Sequence, residues 1–256
     1  MEKVIRTADP DPADVILEIG PGRGEMTVPL ARKSCKVIAV EIDETLAAGL
    51  AETTAPLGNV DVVQGDVLKV DLEQLCSQRG RRLKIVANLP YQISAPLLMR
   101  LMTLRHLFSS MVLMLQKEVA LRIVAQPGTR NYGALSVIVQ LYTKPTIEMF
   151  LPPDCFFPRP KVDSALIRFL VRESPKVEVH NEKAFRRVVR ASFGHRRKML
   201  KNALRSVFGE DTVACDVEKI LENIGIEPTR RAETLSLEEF SRLTGALILY
   251  LPSSGS

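Results

Sequence analysis

The sequence predicts an α/β fold, in which a parallel, doubly wound sheet is followed by a small all-helical domain. Short apolar runs that are typical of buried strands alternate with helical stretches over the first half of the chain. The composition shifts near Ser174-Pro175, and the pattern beyond that point is helical. We therefore divide the 256-residue chain into a sheet domain at 1–175 and a helical domain at 176–256.

The strands are predicted from apolar runs that end in a turn or a polar residue. They cover Val15–Ile19, Lys36–Val40, Val60–Val63, Leu83–Ala87 and Met111–Leu115. Two later runs, Thr146–Phe150 and Ala165–Val171, could add an antiparallel pair at the sheet edge. The segment before the first strand, Met1–Asp14, is polar, and its Asp-Pro-Asp-Pro sequence acts as a helix stop.

The helices are predicted from apolar periodicity between and after these strands. They run from the first glycine-rich loop to about Lys33, around Leu46 and Leu50, and over Ala95–Leu107, Val119–Val124 and Leu135–Leu141. In the helical domain they are a basic helix from Lys183 to about Phe208, a shorter one around Val217–Asn223, and one over Leu237–Tyr250.

Composition limits the function classes. The net charge of +5 and the pI near 9.1 favour a polyanionic partner. Four cysteines without a Cys-x-x-Cys pair indicate reduced thiols, and three widely separated histidines argue against a metal cluster, so we expect no metal. No apolar run is long enough for a membrane span and no signal peptide is recognisable, so we expect a cytoplasmic protein without a membrane partner.

A glycine-rich loop follows the first strand. Gly20, Gly22 and Gly24 match Gly-x-Gly-x-Gly, a pattern that lets a main chain turn tightly and approach a ligand. A nicotinamide fingerprint would require glycine where Glu25 stands, and Glu18 would repel a pyrophosphate. The cofactor should therefore lack phosphates and can carry positive charge, which fits S-adenosyl-L-methionine. A glycine turn with only a packing role is the alternative.

Polar residues also end the next three strands. Glu41 is placed to accept hydrogen bonds from both ribose hydroxyls of a nucleoside cofactor. Asp66 could accept one from its adenine amine, with Ile42 and Val67 flanking the ring, and Asn88 ends the fourth strand beside the same cleft. Either acid alone is more often a solvated strand-end residue, but three successive strand ends that carry Glu18, Glu41 and Asp66 favour a binding site.

The sequence Asn88-Leu89-Pro90-Tyr91 suits recognition of a planar base that carries an exocyclic amine. The Asn88 side-chain oxygen can accept a hydrogen bond from that amine. Pro90 has a fixed φ and no N–H, so it can aim the Leu89 carbonyl at the same group. Tyr91 offers an aromatic face for stacking. The alternative is a polar turn with a half-buried tyrosine.

Together these motifs resemble those of the KsgA rRNA adenine dimethyltransferases, whose relatives include the Erm enzymes and mitochondrial transcription factor B. The resemblance covers almost the whole chain. It rests on Leu17–Gly24, Glu41–Asp43, Gly65–Leu68, Asn88–Ser94 and Phe156–Ser164.

The resemblance implies a Rossmann-like class I methyltransferase fold at 1–175 that uses S-adenosyl-L-methionine. It implies dimethylation of N6 on each of two adjacent adenosines near the 3′ end of small-subunit rRNA, a step of rRNA processing and ribosome biogenesis. The partner would be small-subunit rRNA in an immature small ribosomal subunit, and the enzyme would be a monomer. Phe156 would stack on the face of the flipped adenine opposite Tyr91, a role that Phe157 could share.

The helical domain at 176–256 carries the predicted RNA contact. Nine lysines and arginines and no acid occur from Lys183 to Arg205, which favours phosphate binding over a merely solvated face. The candidate RNA-binding residues are Arg187, Arg190, Arg196, Arg197, Lys198 and Lys201. Phe193–Leu204 and Ile224–Leu235 resemble the C-terminal segments of KsgA rather than those of Erm, which favours the small subunit.

One departure from the family concerns the N-terminus. Relatives carry a basic segment with a Gly-Gln-His/Asn-Phe-Leu motif upstream of the first strand, which helps to cover the cofactor, and this sequence begins after that motif. Two other functions stay open. One is an Erm-like large-subunit methyltransferase, and the other is a non-catalytic RNA-binding assembly or transcription factor of the same fold.

Overall fold

The computed structural model describes residues 1–77, 81–156, 159–194, 198–205 and 216–250. Residues cluster into two compact units, one formed by 1–121 with 142–173 and the other by 122–141 with 174–256. The segment 122–141 therefore belongs with the later helices, whereas the sequence-based division at 175/176 grouped it with the sheet. The functions assigned to the two parts stay predictions.

The first unit contains one seven-stranded sheet with the order β3-β2-β1-β4-β5-β7-β6. Its strands are β1 Val15–Ile19, β2 Lys36–Glu41, β3 Val60–Gln64, β4 Leu83–Asn88, β5 Phe108–Gln116, β6 Thr143–Leu151 and β7 Ser164–Val171. Strands β1 to β5 are parallel, and β7 is antiparallel to both β5 and β6. The predicted α/β class and the antiparallel pair at the sheet edge are confirmed.

The register brings the carboxyl ends of the parallel strands to one edge. Ile19 at the end of β1 lies opposite Val40 of β2 and Ala87 of β4, and Asn88 lies opposite Met114 of β5. The chain order reverses between β1 and β4, the point at which open α/β sheets bind their ligands. The sheet topology therefore puts the glycine-rich loop and the Asn88 segment side by side.

The helices are short, and their bounds differ in places from the predicted ones. They are α1 Glu2–Ala8, α2 Thr27–Ala31, α3 Glu44–Thr54, α4 Leu72–Ser77, α5 Ser94–Thr103, α6 Lys117–Val124, α7 Ala134–Tyr142, α8 Glu182–Gly194, α9 Leu200–Arg205, α10 Val217–Asn223 and α11 Leu237–Leu247. No helix among the described residues has both the length and the apolar character that a membrane span requires.

Helix α1 was not predicted, because its segment reads as polar. Val4, Ile5 and Ala8 are nevertheless buried in a core cluster with residues of the central strands. The helix ends at Asp9 in a left-handed conformation, and Lys84 of β4 donates a hydrogen bond to the Asp9 carbonyl. Three apolar positions spaced by a helical turn are thus enough to fix this segment on the sheet.

The single basic helix predicted from Lys183 to about Phe208 is wrong. Helix α8 ends at Gly194, and α9 begins only at Leu200 after the non-helical Lys198 and Met199. Glycine weakens a helix because its backbone loses more conformational freedom on folding than that of any other residue. The loop before Ala232 also holds the start of α9, since the Leu200 amide donates to the Arg230 carbonyl at 2.7 Å.

The second unit has an aromatic core and a well-defined last helix. Phe193 of α8 lies 6.1 Å from Tyr132 and 5.8 Å from Phe240 of α11, measured between ring centroids. Ser236 and Glu239 form a reciprocal capping box at the start of α11. Arg230 holds the same Glu239 carboxylate with both terminal nitrogens, at 2.5 and 3.1 Å, so the Arg230 segment has a structural role here.

Candidate active site

The three glycines after β1 adopt left-handed backbone angles, with φ of +67° at Gly20, +57° at Gly22 and +84° at Gly24. A Cβ on Gly24 would lie 2.5 Å from Cδ1 of the buried Leu50 on α3, whereas a Cβ on Gly22 would meet nothing within 4 Å. A side chain at position 24 would therefore displace the Leu50 side chain, and the φ of +84° disfavours it further. Gly22 instead borders open space that a ligand can occupy.

Glu41 is buried at the end of β2 and fixes the glycine-rich loop. Its Oε2 accepts a hydrogen bond from the Gly22 amide at 3.0 Å, and its Oε1 accepts one from the Asp43 amide at 3.1 Å. Each carboxylate oxygen has a second lone pair, so these bonds leave acceptors for ribose hydroxyls. The hydrogen bond to the Gly22 amide was not predicted, and the ribose contact stays a prediction.

Glu18 is the most unusual group in the described part of the chain. It is 0% exposed, and neither of its carboxyl oxygens has a hydrogen-bond partner there. Burial raises the pKa of Glu18 to about 7; the nearby Thr27 hydroxyl lowers this pKa and the charge of Glu41 raises it. A buried carboxyl without a partner is costly, and a positively charged ligand in the cleft would offset that cost.

The predicted adenine contacts surround the end of β3. The Gly65 amide donates to the Glu41 carbonyl at 2.8 Å, which brings the following turn beside β2. In that turn the Asp66 Oδ1 accepts a hydrogen bond from the Leu68 amide at 2.9 Å. Ile42 is 65% exposed, unusual for a large aliphatic side chain, and Val67 is buried. The arrangement suits an apolar ring resting on Ile42, but the contacts themselves stay predictions.

The Asn88 segment lies where β4 ends. Asn88 is exposed, and the Leu89 amide donates to the Met114 carbonyl of β5 at 3.3 Å. Pro90 has φ −56° and ψ 132°, and its carbonyl accepts from the Ile93 amide at 3.2 Å and from the Ser94 hydroxyl at 3.3 Å. The main chain of Tyr91 starts a 3-10 turn, Tyr91–Ile93, and its side chain lies outside the described part.

Two chain segments meet closely at this point. A Cβ placed on Gly20 would lie 3.7 Å from the Asn88 carbonyl oxygen, so the glycine-rich loop passes directly beside the end of β4. The predicted cofactor loop and the predicted base-binding segment are therefore neighbours. Such proximity is a precondition for a transfer between two bound nucleosides.

Phe156 follows the 3-10 turn Pro153–Cys155 and is partly buried. It packs against the core cluster that contains α1 residues, which is compatible with an ordinary packing role. Phe157, the second candidate for stacking, lies outside the described residues. The stacking role of Phe156 stays a prediction.

The candidate RNA-binding residues differ from one another in their surroundings. Arg190 and Lys198 are exposed, Arg187 is partly buried, and the Lys201 amine lies 3.0 Å from a carboxylate oxygen of Glu218 on α10. Arg196 and Arg197 lie outside the described residues. Of the described members, Arg190 and Lys198 are best placed to contact phosphate.

The sheet-edge groups fit S-adenosyl-L-methionine. The unpartnered Glu18 carboxyl, the space beside Gly22 and the exposed face of Ile42 suit a ligand with positive charge, no phosphate and an apolar ring. Among the described residues, no three His, Cys, Asp or Glu side chains lie close enough to bind a metal ion.

Comparisons with known proteins find similar sequences over nearly the whole chain. The family model "Ribosomal RNA adenine dimethylase" matches residues 1–243. A "Ribosomal RNA small subunit methyltransferase A" from Pelotomaculum thermopropionicum is 44% identical in an alignment of 257 positions, gaps included, that covers 97% of this chain and 86% of that protein. The protein of the same name from Moorella thermoacetica is 45% identical in an alignment of 254 positions that covers 96% of this chain and 87% of that protein.

Two solved structures cover nearly the whole chain. A dimethyladenosine transferase from Plasmodium falciparum matches with a TM-score of 0.81 and 28% identity, over 97% of this chain and 95% of that one. The 23S rRNA methyltransferase ErmE matches with a TM-score of 0.68 and 24% identity, over 96% and 97%. The second match supports the fold alone.

Proposed function

Because this chain belongs to the ribosomal RNA adenine dimethylase family, we propose that it dimethylates N6 of two adjacent adenosines near the 3′ end of small-subunit rRNA. Membership confirms the predicted enzyme class, an rRNA adenine dimethyltransferase, and S-adenosyl-L-methionine as its methyl donor. The relatives at 44% and 45% identity are small-subunit enzymes by name, which favours this substrate over the Erm-like alternative.

The observation that carries the proposal is the juxtaposition of Glu18, the glycine-rich loop and Asn88. The free carboxyl of Glu18 favours positive charge in the cleft, and the loop runs past the Asn88 carbonyl. When bound there, S-adenosyl-L-methionine would supply an electrophilic methyl group on its sulfonium. A purely RNA-binding factor would have no use for this buried carboxyl, and its cost would persist without compensation.

The chain's own contribution to the reaction is orientation of the adenine amine. N6 is a weak nucleophile because its lone pair is delocalised into the ring. Hydrogen bonds from its two N–H groups to the Asn88 side-chain oxygen and the Leu89 carbonyl would pull the nitrogen toward tetrahedral geometry. This directs the lone pair toward the neighbouring cleft, and such positioning supplies most of the effect. No general base is required, because the proton becomes acidic once the methyl group has transferred.

Finer features belong to the same proposal. The substrate is the immature small ribosomal subunit, the enzyme acts in the cytoplasm as a monomer, and the helical part at 176–256 contacts RNA. The basic composition of α8 and the exposed positions of Arg190 and Lys198 support this RNA role. Stacking of the target adenine by Tyr91 and Phe156 would hold it outside the RNA stack.

Substrate choice is tested by methyl transfer from labelled S-adenosyl-L-methionine, with immature small subunits and naked large-subunit rRNA side by side. Digestion to nucleosides and mass analysis should give dimethyladenosine from the small subunit only. Dimethyladenosine from the large-subunit RNA would overturn the proposed substrate. Absence of product from both would favour the non-catalytic alternative.

The role of the Asn88 segment is tested by Asn88→Ala. We expect loss of methyl transfer, because N6 loses the acceptor that orients it, with RNA affinity unchanged within about threefold, since the phosphate contacts persist. Transfer is measured in single-turnover assays and affinity by filter binding. An equal loss of both, or normal transfer, would contradict the assignment.

A further inference from the structure

Arg100 links helix α5 to the turn that follows β3. Its Nη1 donates to the Val67 carbonyl and its Nη2 to the Val70 carbonyl, each at 2.5 Å. The side chain is partly buried, so both hydrogen bonds are shielded from water and, being charge-assisted, are stronger than neutral ones. One guanidinium thus holds two main-chain carbonyls of the same turn.

The turn itself is organised by Asp66. The amides of Lys69 and Val70 both donate to the Asp66 carbonyl at 2.8 Å, and the Leu68 amide donates to its Oδ1. Asp66 therefore satisfies the amides of the turn, while Arg100 satisfies carbonyls. Since Asp66 and Val67 are the predicted adenine contacts, the position of this turn decides where the cofactor ring can lie.

The other end of α5 contacts the base-binding segment. The Ser94 hydroxyl, at the first residue of the helix, donates to the Pro90 carbonyl at 3.3 Å. Arg100 lies six positions after Ser94, a rise of about 9 Å along an α-helix. Helix α5 therefore spans from the Asn88–Tyr91 segment to the turn after β3, and Arg100 is its attachment at the far end.

We propose that Arg100 is a positioning residue that fixes the Asp66–Val70 turn against α5, and thereby sets cofactor affinity without touching the reacting atoms. This inference rests on the proposed adenine contacts of Asp66 and Val67. Loss of the guanidinium frees two carbonyls and lets the turn move, so the cofactor must order it on binding. That cost appears in affinity rather than in the rate at saturation.

The test is Arg100→Met, with Arg105→Met as a matched control. Arg105 also donates to a main-chain carbonyl, that of Met102 at 3.2 Å, and lies 4.0 Å from the centre of the Tyr142 ring. Arg100→Met should raise the Kd for S-adenosylhomocysteine roughly tenfold and leave kcat at saturating cofactor within about twofold. Arg105→Met should lower Tm while the Kd stays unchanged.

A second measurement needs no cofactor. Hydrogen exchange at the Lys69 and Val70 amides should accelerate in Arg100→Met and not in Arg105→Met. Arg100→Lys, which keeps the charge but lacks the planar pair of terminal nitrogens, should fall between wild type and Arg100→Met in both measurements. An unchanged Kd in Arg100→Met, or an equal rise in both methionine variants, would overturn the inference.

Asp66→Ala separates this inference from the function on which it rests. If Asp66→Ala raises the Kd and Arg100→Met does not, the positioning role fails and the adenine contact stands. If neither variant changes the Kd, the proposed adenine contact fails and the positioning role fails with it.

Discussion

At the scale of single residues, Glu18 shows how a binding site can be recognised from an unfavourable group. A carboxyl in the middle of a buried strand, 0% exposed and with no hydrogen-bond partner in the described part of the chain, lowers the stability of the free protein. The nearby charge of Glu41 adds to that cost. Such a group can be retained in a protein when a bound ligand of opposite charge stabilises it.

This cost predicts a pH dependence of stability. Burial raises the pKa of Glu18 to about 7 from 4.5, so between these values the folded protein keeps a proton that the unfolded chain has lost. Stability from this group is therefore present at low pH and is lost as pH rises to about 7. Glutamine at this position cannot ionise. The free energy of unfolding of Glu18→Gln, relative to that of wild type, should therefore increase by about 2–3 kcal/mol from pH 5 to pH 8.

Denaturant unfolding of the cofactor-free protein at the two pH values measures this difference. The control is Glu25→Gln, which removes an exposed carboxyl from the same loop and should follow the wild-type profile. Parallel pH profiles for wild type and Glu18→Gln would show that Glu18 is not the group responsible.

Some site residues could be predicted from the sequence and others could not. Because parallel strands end at one edge of a sheet, the polar residues at those ends could be predicted as site residues, namely Glu18, Glu41, Asp66 and Asn88. Two sets of hydrogen bonds could not be predicted: the one that Glu41 accepts from the Gly22 amide, and those that Arg100 donates to two carbonyls. A contact between a side chain and main chain that is distant in sequence leaves no pattern in the sequence. A single arginine on a helix is indistinguishable from any other surface residue.

At the scale of elements, the strands were more predictable than the helices. Central strands are buried on both faces, so β1, β2 and β4 appear as continuous apolar runs and were placed to within a residue of their observed bounds. Helix α1 has only three buried apolar side chains, too few to show a helical period in the sequence. The break after α8 depends on backbone conformation, which the spacing of apolar residues does not reveal. The continuous basic stretch was therefore predicted as one helix, although α8 ends at Gly194.

The glycine-rich loop, which joins β1 to α2 and packs on α3, gives a prediction from two similar substitutions. Gly24→Ala meets both a φ of +84° and Cδ1 of Leu50, so it should cost about 2–3 kcal/mol of stability. Gly22→Ala meets only a φ of +57°, which should cost about 1 kcal/mol, but its methyl group enters the space assigned to cofactor.

Each variant therefore serves as the control for the other. Thermal unfolding without ligand should rank Gly24→Ala as the less stable protein. Titration with S-adenosylhomocysteine should show that Gly22→Ala loses more affinity, relative to its loss of stability, than Gly24→Ala does. The reverse order in the titration would indicate that the space beside Gly22 is not part of the cofactor site.

At the scale of the whole molecule, charge is distributed to suit two different ligands. The chain carries a net charge of +5, yet the predicted cofactor contacts include three acids, Glu18, Glu41 and Asp66. A cationic small molecule and a polyanionic RNA can both be attracted only if positive charge lies elsewhere. The stretch from Lys183 to Arg205 supplies it, although Lys201 is already paired with Glu218.

This distribution predicts a localised salt dependence of RNA binding. The double variant Arg190→Gln/Lys198→Gln lowers the net charge from +5 to +3 by removing two exposed cations of the helical unit. If both residues contact phosphate, the plot of log K for RNA binding against log salt concentration should become less steep by about 1.5. The reason is that each phosphate contact contributes roughly 0.7–0.9 to the magnitude of the slope. Affinity for cofactor should not change, since both residues belong to the helical unit whereas the predicted cofactor contacts belong to the sheet unit.

The matched control is Arg32→Gln/Lys33→Gln, which removes the same charge from exposed positions after α2. Binding of small-subunit rRNA is measured over a range of KCl concentrations for wild type and both double variants. A purely global effect of net charge would shift both variants equally and leave their slopes alike. A loss of slope confined to Arg190→Gln/Lys198→Gln would instead require direct phosphate contact at Arg190 of α8 and at Lys198 just before α9. Salt screening weakens long-range attraction but does not change the number of counterions that the phosphate contacts displace.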